Sequence, residues 1–347
     1  SNWMGDLMAA YPQAKNAEFQ QFALAGAHDA GMFTLSTVNS ILSSPYAAGL
    51  LGALTIIPVI GPVIATAGAI SLAQAPRAIT NLALTQKDNI TTMLNLGIRY
   101  FDFRPGTLYS AIAGFNPGVR YHQHAVIPGY PYISFLQDVL TWLSQHPSEI
   151  VVVSANTQGI VEASMDPTAA DLASDLTTAF TNAGLTGKIG TGDSSSLGQT
   201  YAQLIASNTR LIFLNQISTP PETSKYDSYN VPGANYNTNV PASIISAFQS
   251  MTAQGQAGST YTVMQMQGTA TGMGATVIVP AIATLSDASS PLMSTKADFD
   301  INTNPWLLNN VSKTLTANQL MVFLNDFVDN CMVSTAIGVT KQRMGLS

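Results

Sequence analysis

The chain has 347 residues, of which 46% are hydrophobic and only 9% charged, and its formal net charge is −6. About a quarter of residues are charged in an ordinary soluble domain, so this chain can bury a large core, and the absence of any basic cluster excludes nucleic acid as a partner. The single Cys331 excludes an internal disulfide and any multi-cysteine metal site.

Taken in chain order, the first predicted strand is 21–26, and it runs into Gly26-Ala27-His28-Asp29-Ala30-Gly31. Histidine has the side chain whose ordinary pKa lies nearest working pH, and the chain has four: His28, His122, His124 and His146. Next comes an insertion, 30–76, without one Asp, Glu, Lys, Arg or His. Its centre, 47–73, is almost wholly apolar and is interrupted by Pro58, Gly61 and Pro62, which predicts two short helices joined by a kink. Three fates suit such a segment: packing on the domain or on a second subunit, docking on a membrane interface, or spanning a membrane.

A helix is predicted over 79–95 and a strand over 98–104, within Gly97-Ile98-Arg99-Tyr100-Phe101-Asp102-Phe103-Arg104. Residues two apart on a strand share a face, so Asp102 and Arg104 project together, while Arg99 reads as structural. Tyr121-His122-Gln123-His124-Ala125 overlaps a predicted strand at 119–123. A helix over 134–145 then leads through His146-Pro147-Ser148-Glu149, with His146 as a solvated helix-end residue, to a strand at 150–155. Further strands are predicted at 210–216, 261–266, 276–280 and 321–328, and helices at 167–184 and 240–254. Stretches 186–199, 218–239 and 285–305 read as loops. Strands alternating with helices imply an α/β fold with a parallel sheet, either a (β/α) barrel or a doubly wound open sheet. Asn89-Ile90-Thr91 and Asn310-Val311-Ser312 match glycosylation acceptors, a pattern that also arises by chance.

The ordered set of motifs resembles the phosphatidylinositol-specific phospholipase C X-domain family of bacterial and fungal type. The shared features are Asn2-Trp3-Met4, Gly26 to Gly31, Gln86 to Asn89 leading into Gly97 to Arg104, His124-Ala125, the helix-Pro-Ser-Glu-strand unit at 135–154, and Asn325-Asp326-Phe327-Val328. The resemblance implies one domain over 1–347: a TIM-type barrel, somewhat irregular, with the apolar helical insertion rising from its mouth. It implies a phosphodiesterase or lyase that cuts the glycerol–phosphate bond of a phospholipid through a cyclic phosphate. His28 would be the general base, Asp326 its partner (with Asp329 as competitor) and Arg104 the phosphate cation. His124 would be the acid, with His122 as the alternative, and Asp29 would keep it charged.

Asp102, Asn156, Asn215, Asp227 and Tyr229 are the candidate substrate-binding residues. Asn156 stands where the best-known bacterial pattern has a lysine and Asn215-Gln216 where it has an arginine, which puts the head group in question. A glycosylated or non-inositol head group, or a catalytically silent lipid-binding module, are the alternative readings. No metal and no cofactor are expected, because carboxylates are scarce and Arg104 would supply the cation. The implied setting is secreted or extracellular, peripherally membrane-associated through 47–73; no basic leader opens the chain.

Overall fold

A computed structural model describes residues 1–57, 79–80, 83–217, 221–251, 258–268 and 291–346. Its strands are β1 (Ala23–Ala27), β2 (Tyr100–Phe103), β3 (Pro105–Gly106), β4 (Tyr121–His124), β5 (Ile127–Pro131), β6 (Val151–Ala155), β7 (Gly190–Gly192), β8 (Thr209–Asn215), β9 (Lys225–Asp227), β10 (Tyr261–Gln265) and β11 (Leu320–Asn325). Eight of them form one parallel sheet in the order β7-β8-β6-β2-β1-β11-β10-β9. First and last strands are neighbours, with Gly26 beside Leu324 on one side and Tyr100 on the other. That is the winding of a barrel.

The sheet curls strongly. β8 and β10 stand five places apart, which would be about 24 Å in a flat sheet, yet Nε2 of Gln216, just after β8, donates to the Tyr261 hydroxyl at 3.0 Å. Among the described residues β7 and β9 are edges and do not pair, so the barrel is not seen to close. The expected strand at 276–280 and most of the apolar centre, 58–73, lie outside the described residues.

Both faces of the sheet are apolar, and the period of two divides them. Leu24, Tyr100, Val152, Leu214, Val263, Val322 and Leu324 form an inner cluster, joined by Trp3, Met4, Phe19 and Phe22 from the start of the chain. Their neighbours Ala23, Ala25, Phe101, Phe103, Val151, Val153 and Phe323 pack against helix residues such as Phe135, Val139 and Met332. Each fully buried Leu, Val or Phe contributes about 1.5–3 kcal/mol. Beneath the sheet, Arg99 is wholly buried, with Nη2 2.7 Å from Oε2 of Glu149 and its guanidinium over the Trp142 ring. Glu149 also accepts from the Gly5 amide at 3.0 Å, so the Pro-Ser-Glu unit ties the first helix to the sheet.

Several expectations need correction. The predicted 119–123 strand is not part of the parallel sheet; as β4 it belongs to a three-stranded antiparallel sheet, β3-β4-β5. The predicted loops 186–199 and 218–239 contain β7 and β9, three residues each and too short for a periodic signal. The predicted loop 285–305 overlaps the helix Pro291–Thr314, whose many Asn, Asp and Thr residues hide its helical period. The helix predicted over 79–95 is interrupted: 84–89 are not helical, and Ile90–Leu96 begins where the Asn89 side chain caps Thr92. His146 does cap its helix, as expected, but is half-buried: its ring stacks on Trp142 at 3.8 Å and Nδ1 donates to the Trp142 carbonyl.

The described part of the insertion holds the helices Ser36–Leu42 and Ala47–Leu54, both before Pro58; the expected kink at Pro58–Pro62 and the helix beyond it lie outside the described residues. Val38, Ile41, Leu50, Ala53 and Leu54 share an apolar cluster with Ile112, Tyr121, Val126 and Ile127, so they pack on the antiparallel sheet. No described helix is long and apolar enough to cross a membrane.

Candidate active site

The inner face turns polar where the strands end. Two residues beyond Gly26, Tyr100, Val152, Leu214, Val263 and Leu324 stand His28, Asp102, Ser154, Gln216, Gln265 and Asp326, and one further step gives Arg104 and Asn156. Strand periodicity alone therefore gathers them at the C-terminal rim.

His28 sits at the centre. Nδ1 lies 2.7 Å from Oδ1 of Asp326, and Nε2 lies 3.1 Å from Nη2 of Arg104 and 3.5 Å from Oδ2 of Asp29. Arg104 places Nε 2.9 Å from Oδ1 of Asp29 and Nη2 3.2 Å from Oδ2 of Asp102. Asp102 is held in turn by Asn156, whose Nδ2 donates to Oδ1 at 2.7 Å. One ligand atom each from His28, Asp29 and Asp102 lies within 4.8 Å of the others, a donor set a cation could use. The Arg104 guanidinium already engages both of its carboxylates.

The antiparallel sheet brings the other two histidines over the rim. His122 is wholly buried: Nδ1 accepts from the Arg104 amide at 3.3 Å, so Nε2 carries the hydrogen toward Oδ1 of Asp29 at 3.2 Å. His124 keeps 31% of its side chain exposed, with Nε2 3.9 Å from Oδ2 of Asp29. That oxygen and the His124 Nδ1 have no hydrogen-bond partner among the described residues. Gly31 is required by this arrangement, since a Cβ there would lie 2.3 Å from the His122 Cβ.

Charges follow from these contacts. Burial opposes a proton on His28, but Asp29 and Asp326 outweigh it and raise the pKa to about 9. Burial pushes His124 down to about 4, and Asp29 offsets only part of that. The expectation that Asp29 keeps His124 charged is not met, because burial outweighs the attraction of an Asp29 oxygen 3.9 Å away. Burial likewise pushes His122 down, whereas Arg104 and His28 hold Asp29 well below the usual carboxylate range despite its burial.

The predicted substrate contacts are not all brought together. Asn215 ends β8 on the outer register of Leu211 and Phe213, away from the inner-face Leu214 and Gln216, and its Oδ1 accepts from the Ile217 amide at 2.9 Å. Asp227 is buried, takes both oxygens to Nε2 of Gln265 at 3.0 Å, and lies 2.9 Å from Nζ of Lys225. Tyr229 is 44% exposed beside the Tyr236 ring. Asp329 caps the last helix, Asn330–Arg343, and leaves the His28 ring to Asp326. Sequence reasoning missed Lys225, whose Nζ also reaches Oε1 of Gln158 at 3.3 Å. The short β9 thus delivers a cation to Gln158, two residues beyond Asn156. It also gave no role to Gln86, which donates to the carbonyls of His28 and Asn325.

No family model and no curated protein matches this chain. Solved structures do. A Staphylococcus aureus phosphatidylinositol-specific phospholipase C, studied for its membrane binding, aligns over 97% of this chain and 96% of its own, with TM-score 0.54 and 14% identity. The phosphatidylinositol-specific phospholipase C of Listeria monocytogenes aligns over 94% and 95%, with TM-score 0.52 and 11% identity. A point mutant of the S. aureus enzyme aligns over 94% and 93%, with TM-score 0.51 and 13% identity. The chain shares the fold of these bacterial phospholipases along nearly its whole length.

Proposed function

We propose that this chain is a phosphodiesterase of phospholipase C type, cutting the glycerol–phosphate bond of a phosphoinositide-like lipid. The observation that carries the reading is the meeting of His28, Arg104 and His124 around Asp29 at one rim of the sheet. The shared fold supports it. In this reading Nε2 of His28 takes the proton from a hydroxyl of the substrate's own head group, whose oxygen then bonds to phosphorus. The bond from phosphorus to the glycerol oxygen breaks, and His124 delivers a proton to that oxygen. The products are diacylglycerol and a cyclic phosphodiester. Asp326, on Nδ1, holds His28 in the tautomer that leaves Nε2 to act. Arg104 counters charge growing on the non-bridging oxygens, a contribution of about 3–4 kcal/mol for a well-placed donor.

Accessibility favours His124 over His122 as the acid, because His122 already spends both ring nitrogens inside the protein. An anionic phosphate beside His124 would also favour its protonated form. Lys225 and Asp227 offer donors and an acceptor to head-group hydroxyls, which supports a hydroxyl-rich head group. We propose further that no metal takes part, since Arg104 supplies the positive charge, and that the enzyme acts peripherally on membranes through the insertion. Incubation with phosphatidylinositol and other phospholipids, chelator present, followed by phosphorus NMR, tests the reading. A cyclic phosphate signal that disappears in His28→Ala supports it; no cyclic phosphodiester and no diacylglycerol from any phospholipid overturns it.

A further inference from the structure

We propose that Gln86 is a positioning residue, whose side-chain amide locks the ends of β1 and β11 together and so fixes the His28–Asp326 pair. Gln86 is 1% exposed, and its side-chain hydrogen bonds go to backbone atoms. Its Nε2 donates to the His28 carbonyl at 2.8 Å and the Asn325 carbonyl at 3.1 Å, while Oε1 accepts from the Val328 amide at 3.1 Å. One amide thus spends both hydrogens and its oxygen on backbone belonging to His28 or flanking Asp326. The preceding residue repeats the pattern. Thr85 Oγ1 lies 3.1 Å from the Asp29 carbonyl, and the Thr85 carbonyl accepts from the Phe327 amide at 2.6 Å.

A second observation shows why such a brace is needed. Asp29 and Phe327, the residues directly after His28 and Asp326, both have left-handed backbones, with φ of 45° and 47°. Non-glycine residues held so cost about 1–3 kcal/mol each and persist only where their surroundings over-determine them. Thr85 and Gln86 supply those surroundings on both sides at once. The Nδ1–Oδ1 distance of 2.7 Å joins two separate strand ends. Releasing the brace lets the two loops relax apart, and the base then loses the partner that orients it.

This inference rests on the phosphodiesterase reading for its kinetic arm only. In Gln86→Met, which keeps side-chain length but removes all three hydrogen bonds, kcat should fall about 10–100-fold, as when a supporting partner is lost, with KM within about threefold. In an Asp326→Ala background, which leaves Nδ1 no side-chain acceptor at this position, the same change should cost less than about threefold, because the pair is already broken. An equal loss in both backgrounds, or no loss in either, overturns the proposal. The second arm needs no substrate: the far-downfield proton NMR signal of His28 Nδ1–H against Asp326 should vanish or shift in Gln86→Met, and an unchanged signal overturns the proposal. Should Gln86→Met not fold, Gln86→Glu, which keeps the acceptor for Val328 and loses the donors, is read in the same two ways. A wild-type chain that releases no cyclic phosphodiester sinks the phosphodiesterase reading, and the NMR arm then decides the role of Gln86 alone.

Discussion

Nη2 of Arg104 lies 3.1 Å from Nε2 of His28. A guanidinium only donates, so this contact suits a neutral imidazole. The surrounding carboxylates nevertheless raise His28 to about 9. When the ring takes its second proton, Nε2–H has Oδ2 of Asp29, 3.5 Å away, as its acceptor in place of the Arg104 donor. The resting site therefore holds its proton on the base and not on the acid, the reverse of what the reaction requires.

That reversal shapes the pH profile. The productive form has His28 neutral and His124 protonated, and its share is constant while the two rings together hold one proton. We expect kcat/KM to be flat between about 4 and about 9, falling outside those limits. Histidine NMR titration should assign the upper limb to His28. A narrow bell centred near a pH of about 6.5, the ordinary histidine value, or an upper limb belonging to His124, contradicts this assignment.

Stability has a different optimum. His28 is raised, so folding binds its proton more tightly than the unfolded chain does; that stabilisation is complete below about 6.5 and is lost as pH rises through about 9. His124 is lowered, so the unfolded chain binds its proton more tightly, and stability falls as pH drops from about 6.5 through about 4. From these two groups, urea midpoints should be highest near a pH of about 6.5 and lower at about 5 and about 8.5. His28→Gln should flatten the alkaline side only.

Ala125 follows His124 with φ of 58°. A left-handed backbone costs a residue with a Cβ roughly 1–2 kcal/mol, which glycine avoids. Ala125→Gly is expected to raise unfolding free energy by about 1 kcal/mol, less what glycine's greater freedom in the unfolded chain takes back. Urea titration at neutral pH checks the sign.

The Arg99–Glu149 pair is far from chemistry and wholly buried. Glu149→Ala leaves a buried guanidinium without its carboxylate and should destabilise by about 3–5 kcal/mol. At temperatures where the variant stays folded, kcat should match wild type. A kcat loss without a fall in melting temperature would show that Glu149 serves the site.

Lys225→Met removes a charge-assisted donor from the rim while leaving His28, Arg104 and His124 in place. Loss of a hydrogen bond to a charged group is worth about 1.5–3 kcal/mol, so KM for phosphatidylinositol should rise at least about tenfold with kcat little changed. Unchanged KM would exclude Lys225 from head-group contact.

Much of the site was legible because strand periodicity is strict. Asp102 and Arg104 share a face by their spacing, and Asp326 stands two residues past the inner-face Leu324. What stayed hidden had no local signature. β9 is three residues long, so its stretch read as loop and Lys225 drew no attention, although Asp227 did. His122 and His124 share a strand face, and only the fold of the antiparallel sheet buries one and exposes the other. Gln86 acts through backbone atoms of distant segments, which no spacing in the chain reveals. The fold was legible as alternating strands and helices, but which strands end the row depends on pairings between segments far apart in the chain.

The two imidazoles assigned to proton transfer rest on different foundations. His28 continues the parallel sheet, whereas His124 belongs to β4, whose small sheet is packed by the apolar pair Ser36–Leu42 and Ala47–Leu54. The placement of one imidazole relative to the other therefore depends in part on how that apolar pair packs against the small sheet.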